Sequence, residues 1–152
     1  MAEPLLLDTT YLLPVFGIDV GLAKFETRFP EILDGYDIRY NPVSLLEAKW
    51  ISLRIGRHSE RDRFLARYRS GLGAIMTDKR MKQTRLTDSA VELIADRLLT
   101  ENRLNDYFDR MIYATAAAEN SHLLTEDKVL LGLTGAKGES VPRSILSWKG
   151  VP

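Results

Sequence analysis

Short runs of wholly apolar residues constrain this chain's fold more than any other feature. Leu5, Leu6 and Leu7 follow one another and end at Asp8, and Leu123 and Leu124 run in the same way into Thr125. A strand with one wet face alternates apolar and polar residues, whereas a strand without alternation is covered on both faces. Segments of helical length separate these runs, and strands alternating with helices build a parallel sheet with helices on both sides. Ligands of such sheets sit outside the carboxyl ends of the strands. Asp8 and Asp127 both fall just past an apolar strand, so both are expected at that edge.

The other elements follow from punctuation and periodicity. Thr9 and Thr10 are expected to cap a short helix running to Gly17, bent or cut by Pro14. A second helix is expected over 22–33, with a break or bend at Pro30. "YDIRYNP" reads as a strand, and Pro42 suits the start of a helix over 43–56. A basic amphipathic helix is expected over 59–71, with Phe64, Leu65, Tyr68 and Leu72 as its apolar stripe. "GLGAIMTDKRMKQTR" reads as a loop with an apolar patch at 74–76. Thr87 is expected to cap "DSAVELIADRLLTEN", and Asp106 to begin the next helix. "HLLT" reads as a strand, "EDKVLLG" as a short helix, and "RSILSW" as a last strand after a glycine-rich loop.

At 152 residues the chain is read as one domain, enough to bury about two-thirds of its unfolded surface. No apolar run approaches the roughly 18 residues that a membrane span needs. "MAEPLLLD" has no basic n-region and its apolar run breaks at Asp8, so it is not read as a signal peptide. With no cysteine there is neither a disulfide framework nor a zinc–thiolate site, and a reducing cytoplasm fits. Net charge is zero but unevenly spread. Residues 51–85 hold 10 Lys/Arg against 3 Asp/Glu, whereas residues 1–50 hold 4 against 8 and residues 86–152 hold 7 against 10. A net +7 between stretches of −4 and −3 points to a polyanion near the middle segment. Solvated helix faces and a basic loop account for it equally well.

Four acids carry the chemistry. Asp8 suits a helix N-cap, and Asp127 suits a first-turn acid with Thr125 as cap. Glu47 is harder to explain structurally. Its helical neighbours are Val43, Trp50 and Ile51, beside which an unpaired charge is costly. Asp109 repeats the pattern along a row with Ile112, Tyr113 and Ala116, and Asp106 lies one turn before it. A buried salt bridge would explain each acid alone. Two acids on apolar rows and two at strand ends make one shared pocket the more economical reading. Clustered carboxylates repel one another unless cations neutralise them, and oxygen ligands without His or Cys suit Mg²⁺ or Mn²⁺. Such ions usually serve phosphoryl transfer. His58 and His122 offer no triad, and no phosphate-cradling glycine loop is present.

"LLLDTTYLL", "SLLEAKW" and "DRMIYATAAAENSHLLTEDKVL" together resemble the PIN-domain nucleases, in particular the compact type found as VapC toxins. The first is similar to the family's opening strand, with Asp8 as first acid and Thr9 in the hydroxyl position. The second carries the glutamate, here Glu47. The third maps the remaining acids to Asp109 and Asp127, with Thr125 as supporting hydroxyl; Asp106 competes with Asp109 for its role. The resemblance spans residues 5–131. It implies a three-layer α/β/α sandwich around a five-stranded, mostly parallel sheet, metal-dependent RNA cleavage with Mg²⁺ or Mn²⁺, and commonly a homodimer. It also implies a small antitoxin that blocks the acidic pocket. Segment 57–85 matches no family pattern. There Arg54, Arg57, His58 and Arg61 fall at helical spacing, provided one helix continues past residue 57, and are read as RNA contacts.

Two other readings compete. Haloacid-dehalogenase phosphatases also open on an apolar strand ending in Asp, but need a second Asp two residues later, where this chain has Thr10. A non-catalytic interaction module of the same fold would keep some of the acids and cut nothing.

Overall fold

The first apolar run forms β1 (Pro4–Leu7), and Leu5, Leu6 and Leu7 are all 0% exposed. In the computed structural model, which describes residues 1–133 and 140–152, this strand is the centre of a five-stranded sheet. The order is β3-β2-β1-β4-β5, with β2 at Asp37–Tyr40, β3 at Met81–Gln83, β4 at His122–Leu124 and β5 at Ser144–Leu146. All four pairings are parallel.

Side chains alternate across the sheet as strand geometry requires. Leu5, Leu7 and Leu124 join a cluster with Tyr11, Phe16, Ile38, Tyr68 and Trp148 on one face. Leu6 and Leu123 join the other face with Ile94, Met111, Ile112 and Ala116. α1 (Phe25–Gly35) and α3 (Arg61–Thr77) supply the first layer, and α4 (Ser89–Thr100) and α5 (Tyr107–Ala118) the second. α2 (Val43–Ile55) borders both, giving Leu45 and Ala48 to one cluster and Val43 to the other. α6 (Lys128–Leu131) is a single turn after β4. The result is the three-layer α/β/α arrangement expected from the sequence. The chain steps outward from β1 to β3, then returns to β4 on the other side of β1. That reversal opens a crevice at the carboxyl ends of β1 and β4.

Several local readings need correction. The expected helix after Thr9 is a pair of 3₁₀ turns, Thr9–Tyr11 and Leu13–Phe16, with Pro14 in the first turn of the second. α1 starts at Phe25 rather than residue 22 and runs through Pro30 to Gly35 without a break. α3 does not stop at residue 71 but includes the supposed loop patch, burying Ile75 to 1% exposure. Gly71 is not a stop signal: a Cβ there would stand 2.6 Å from the Phe16 ring and 2.8 Å from the Val15 carbonyl oxygen. It permits the helix to lie directly on the second 3₁₀ turn. β3 had no signal in the sequence, because it is an edge strand with only Met81 buried. Asp88, not Thr87, caps α4 by accepting from Val91 N at 3.0 Å. The glycine-rich stretch before β5 falls at residues 134–139, outside the described residues. Among the described residues, no helix is long and apolar enough to cross a membrane.

Candidate active site

Backbone pairing carries β1 one residue further: Asp8 N donates to the Leu124 carbonyl at 2.9 Å. This brings the Asp8 side chain to the end of β4. Its Oδ1 accepts from Thr9 N at 2.6 Å and its Oδ2 from the Thr125 hydroxyl at 2.6 Å. Asp8 is 6% exposed and Thr125 0%. Burial raises the Asp8 carboxyl above its ordinary range, the two hydrogen bonds oppose this, and the charges of Asp127 and Asp106 add to the rise. Thr125 Oγ1 also accepts from Asp127 N at 3.0 Å. Asp127 in turn caps α6, its Oδ1 accepting from Val129 N and Leu130 N at 2.8 and 3.0 Å. Asp8 is an N-cap as expected, whereas Asp127 is itself the cap of α6 and not a first-turn acid capped by Thr125; these capping bonds also fix both carboxylates at the sheet edge.

A cleft of about 380 Å³ lies there, lined by Asp8, Thr9, Thr10, Leu13, Glu47, Ile51, Asp106, Asp109, Glu126 and Asp127. Glu47 enters from α2 and Asp109 from the first turn of α5. Burial raises the Glu47 carboxyl, Thr9 and Arg54 pull it back, and Asp8 and Asp106 push it further up. Of the apolar row expected around Glu47, Val43 is buried and Ile51 partly buried, but Trp50 is 68% exposed. Asp109 is pushed up to about 7, first by burial and then by Asp106, Asp8, Asp127 and Glu47. One carboxyl thus feels every other acid named from the sequence. Asp106 caps α5, accepting from Asp109 N at 3.0 Å, and stays exposed at the cleft rim.

The acids share a cleft but do not meet at one point. Among the described residues, no three His, Asp or Glu side chains stand close enough together to hold a single ion. The donor set is nevertheless carboxylate and hydroxyl oxygen, which suits a hard divalent cation.

Glu126 is the cleft acid that sequence reasoning missed. Its Oε1 accepts from the Tyr11 hydroxyl at 2.6 Å and from Trp148 N. Local spacing carries no trace of this, because Tyr11 lies 115 positions away.

The basic residues also come together, though not by the expected route. α2 ends at Ile55 and a new 3₁₀ turn starts at His58, so no continuous helix carries them. The chain turns at Gly56, where a Cβ would lie 2.6 Å from Phe64. That turn places Arg54, Arg57, His58 and Arg61, with Leu53, around one cavity of about 590 Å³. Arg54 is also one of the charges acting on Glu47, so the basic cavity adjoins the acidic cleft.

The family model described as PIN domain matches residues 5–134. None of the curated proteins matches the chain. Three solved structures share its fold. VapBC2 from Rickettsia felis, bound to a DNA fragment from their promoter, is similar at TM-score 0.60 and 14% identity, over 82% of this chain and 89% of that one. FitAB bound to an IR36 DNA fragment is similar at TM-score 0.61 and 14% identity, over 97% of each chain. PAE2754 from Pyrobaculum aerophilum is similar at TM-score 0.60 and 19% identity, over 98% of this chain and 93% of that one. With the sheet order, the cleft at its carboxyl edge and a family match over most of its length, the chain belongs to the PIN-domain family.

Proposed function

We propose that this chain, read as one PIN-like domain over residues 1–152, is a Mg²⁺- or Mn²⁺-dependent ribonuclease acting in the cytoplasm as the toxin of a toxin–antitoxin pair. The observation that carries the reading is Asp109, which shares one cleft with Asp8, Glu47, Asp106 and Asp127 and whose carboxyl is raised first by burial and then by their charges. Such a cleft calls for positive charge, and among the described residues no Lys or Arg lines it. Asp8, Glu47, Asp109 and Asp127 are the residues that would hold a divalent cation. When bound there, the cation supplies charge neutralisation for a phosphodiester and its leaving oxygen.

The chain's own residues do the rest. Thr125 and the Thr9 backbone hold the Asp8 carboxylate in one orientation. Asp106 fixes the first turn of α5, and with it Asp109. Arg54, Arg57 and Arg61, with His58, offer phosphate contacts beside the cleft. Two of the similar structures are VapBC2 and FitAB with DNA. By extension we assign this chain a small antitoxin that blocks the cleft, and a homodimeric state.

A second reading is a PIN-like module that binds without cutting, and it draws on the absence of a ready-made ion site among the described residues. The phosphatase alternative is displaced by the PIN match. Incubating purified protein with single-stranded RNA in Mg²⁺, in Mn²⁺ and in excess chelator separates the two that remain. The nuclease reading expects cleavage only with the divalent ions. No cleavage in any condition across a broad RNA set favours the other, and equal cleavage in chelator contradicts the metal-dependent reading.

A further inference from the structure

α2 contributes side chains to three depressions. Glu47 and Ile51 line the acidic cleft, and Leu53 and Arg54 line the basic cavity. Val43, Leu46 and Trp50 form one wall of a third depression of about 470 Å³, closed on its other side by Asp106, Tyr107 and Phe108. Asp106 lines both this groove and the acidic cleft, so the two are continuous.

The groove exposes two aromatic rings and a leucine. Leu46, Trp50 and Tyr107 are 56%, 68% and 51% exposed, an unusual amount of apolar surface to leave in water. Trp50 meets Phe108 edge-on at 5.9 Å between ring centroids, and Phe108 meets Tyr107 edge-on at 6.3 Å. The rings are therefore braced against one another rather than free to fold onto the core. Each stands close in sequence to a cleft acid: Trp50 three residues after Glu47, Tyr107 next to Asp106, Phe108 next to Asp109.

We propose that this groove is a stacking subsite for one unpaired nucleobase of a strand whose phosphate lies in the adjoining acidic cleft. The proposal rests on the nuclease reading for what occupies the cleft. Three neighbouring surfaces then match the three parts of a single-stranded nucleotide chain. Aromatic rings take a base face, the acidic cleft takes the phosphodiester with its cation, and the Arg54–Arg61 cavity takes a further phosphate. A segment of a folded protein would also cover apolar rings, but it would leave unused the basic cavity that shares α2 with the groove. Base stacking on aromatic rings tolerates every base, so the groove selects for an unpaired strand, not for a particular letter. A paired base in a duplex is stacked on its neighbours and cannot enter.

Trp50 supplies its own probe, since the other tryptophan, Trp148, is only 3% exposed. The test uses full-length Asp8→Asn protein, which leaves the groove intact, with ten-nucleotide oligo(rU), oligo(rA), the same strands in duplex form, and single strands carrying one abasic site. The expected result is quenching of tryptophan emission by single strands and not by duplex. Trp50→Phe should keep most of the affinity and lose the quenching. Trp50→Ala should weaken single-strand binding by roughly tenfold and become insensitive to an abasic site at the one position that weakens the parent. Light scattering runs in parallel. Single-strand affinity unchanged in Trp50→Ala overturns the proposal, as does a dimer-to-monomer shift in Trp50→Ala with its sensitivity to the abasic site retained, which makes the groove an interface between copies. None of these readouts needs cleavage, so an inactive wild type would remove the nuclease reading while base stacking is judged on its own.

Discussion

The Thr125 hydroxyl donates to Asp8 Oδ2 at 2.6 Å across 117 positions of sequence, while the same oxygen accepts the Asp127 backbone N–H at 3.0 Å. One side chain at the end of β4 thereby locks the end of β1 to the start of α6. Thr125→Val keeps the shape and removes both bonds, leaving a buried carboxyl short of a donor, at a cost of about 1–3 kcal/mol. The urea midpoint should fall accordingly, and Thr125→Ser should recover most of it. A valine variant with the wild-type midpoint would show that the bond contributes nothing.

Asp109 sets a pH dependence. Its carboxyl is pushed up to about 7 from an ordinary 3.8, so between those values the folded chain holds a proton that the unfolded chain has released. Its contribution to stability is therefore complete below the lower value and lost as pH rises through the upper one. In the absence of divalent ions, Asp109→Asn should gain Tm over wild type on going from about pH 5 to about pH 8. Added Mg²⁺ should stabilise the wild type more at the higher pH than at the lower, because it competes there with fewer protons. An equal Tm difference at both pH values would contradict the assignment.

The central sheet was legible because β1 and β4 are apolar without alternation, and the acids were legible because strand ends and apolar helix rows are local patterns. The outer parts were not. β3 buries a single side chain, so nothing in its sequence marks a strand. Gly71 and Gly73 read as a helix stop, yet Gly71 serves close packing against Phe16, a partner 55 positions away. Glu126 was invisible for the same reason: Tyr11 and Trp148 hold it in the cleft through tertiary contacts alone. The grouping of Arg54 with Arg61 was anticipated for the wrong reason, since a turn at Gly56 and not a continuous helix brings them together.

That basic cavity makes its own prediction. Arg57 and Arg61 are exposed, with no acidic partner among the ion pairs of the described residues, so replacing both with Ala should leave the fold unaffected. RNA affinity should drop, and the slope of log affinity against log salt should shrink by roughly 0.7 per lost phosphate contact on a single strand. Filter binding at several salt concentrations reads both. An unchanged slope would remove these arginines from the RNA path.

The central claim is that Asp8 is held at the sheet edge for its charge and not only for its capping bonds. Asp8→Asn tests it most directly, because the amide keeps Oδ1 for the Thr9 N–H and the size of the side chain, losing the charge and the Oδ2 that accepts from the Thr125 hydroxyl. The measurement pairs RNA cleavage rate in Mg²⁺ with thermal melting in its absence. The account predicts a rate lower by a hundredfold or more, about 3 kcal/mol of transition-state stabilisation. It also predicts an ion-free Tm equal to or above that of the wild type, since relief of a buried charge repelled by Asp127 and Asp106 offsets the lost Thr125 bond. An Asp8→Asn protein that cuts at the wild-type rate would contradict it and leave Asp8 as a helix cap.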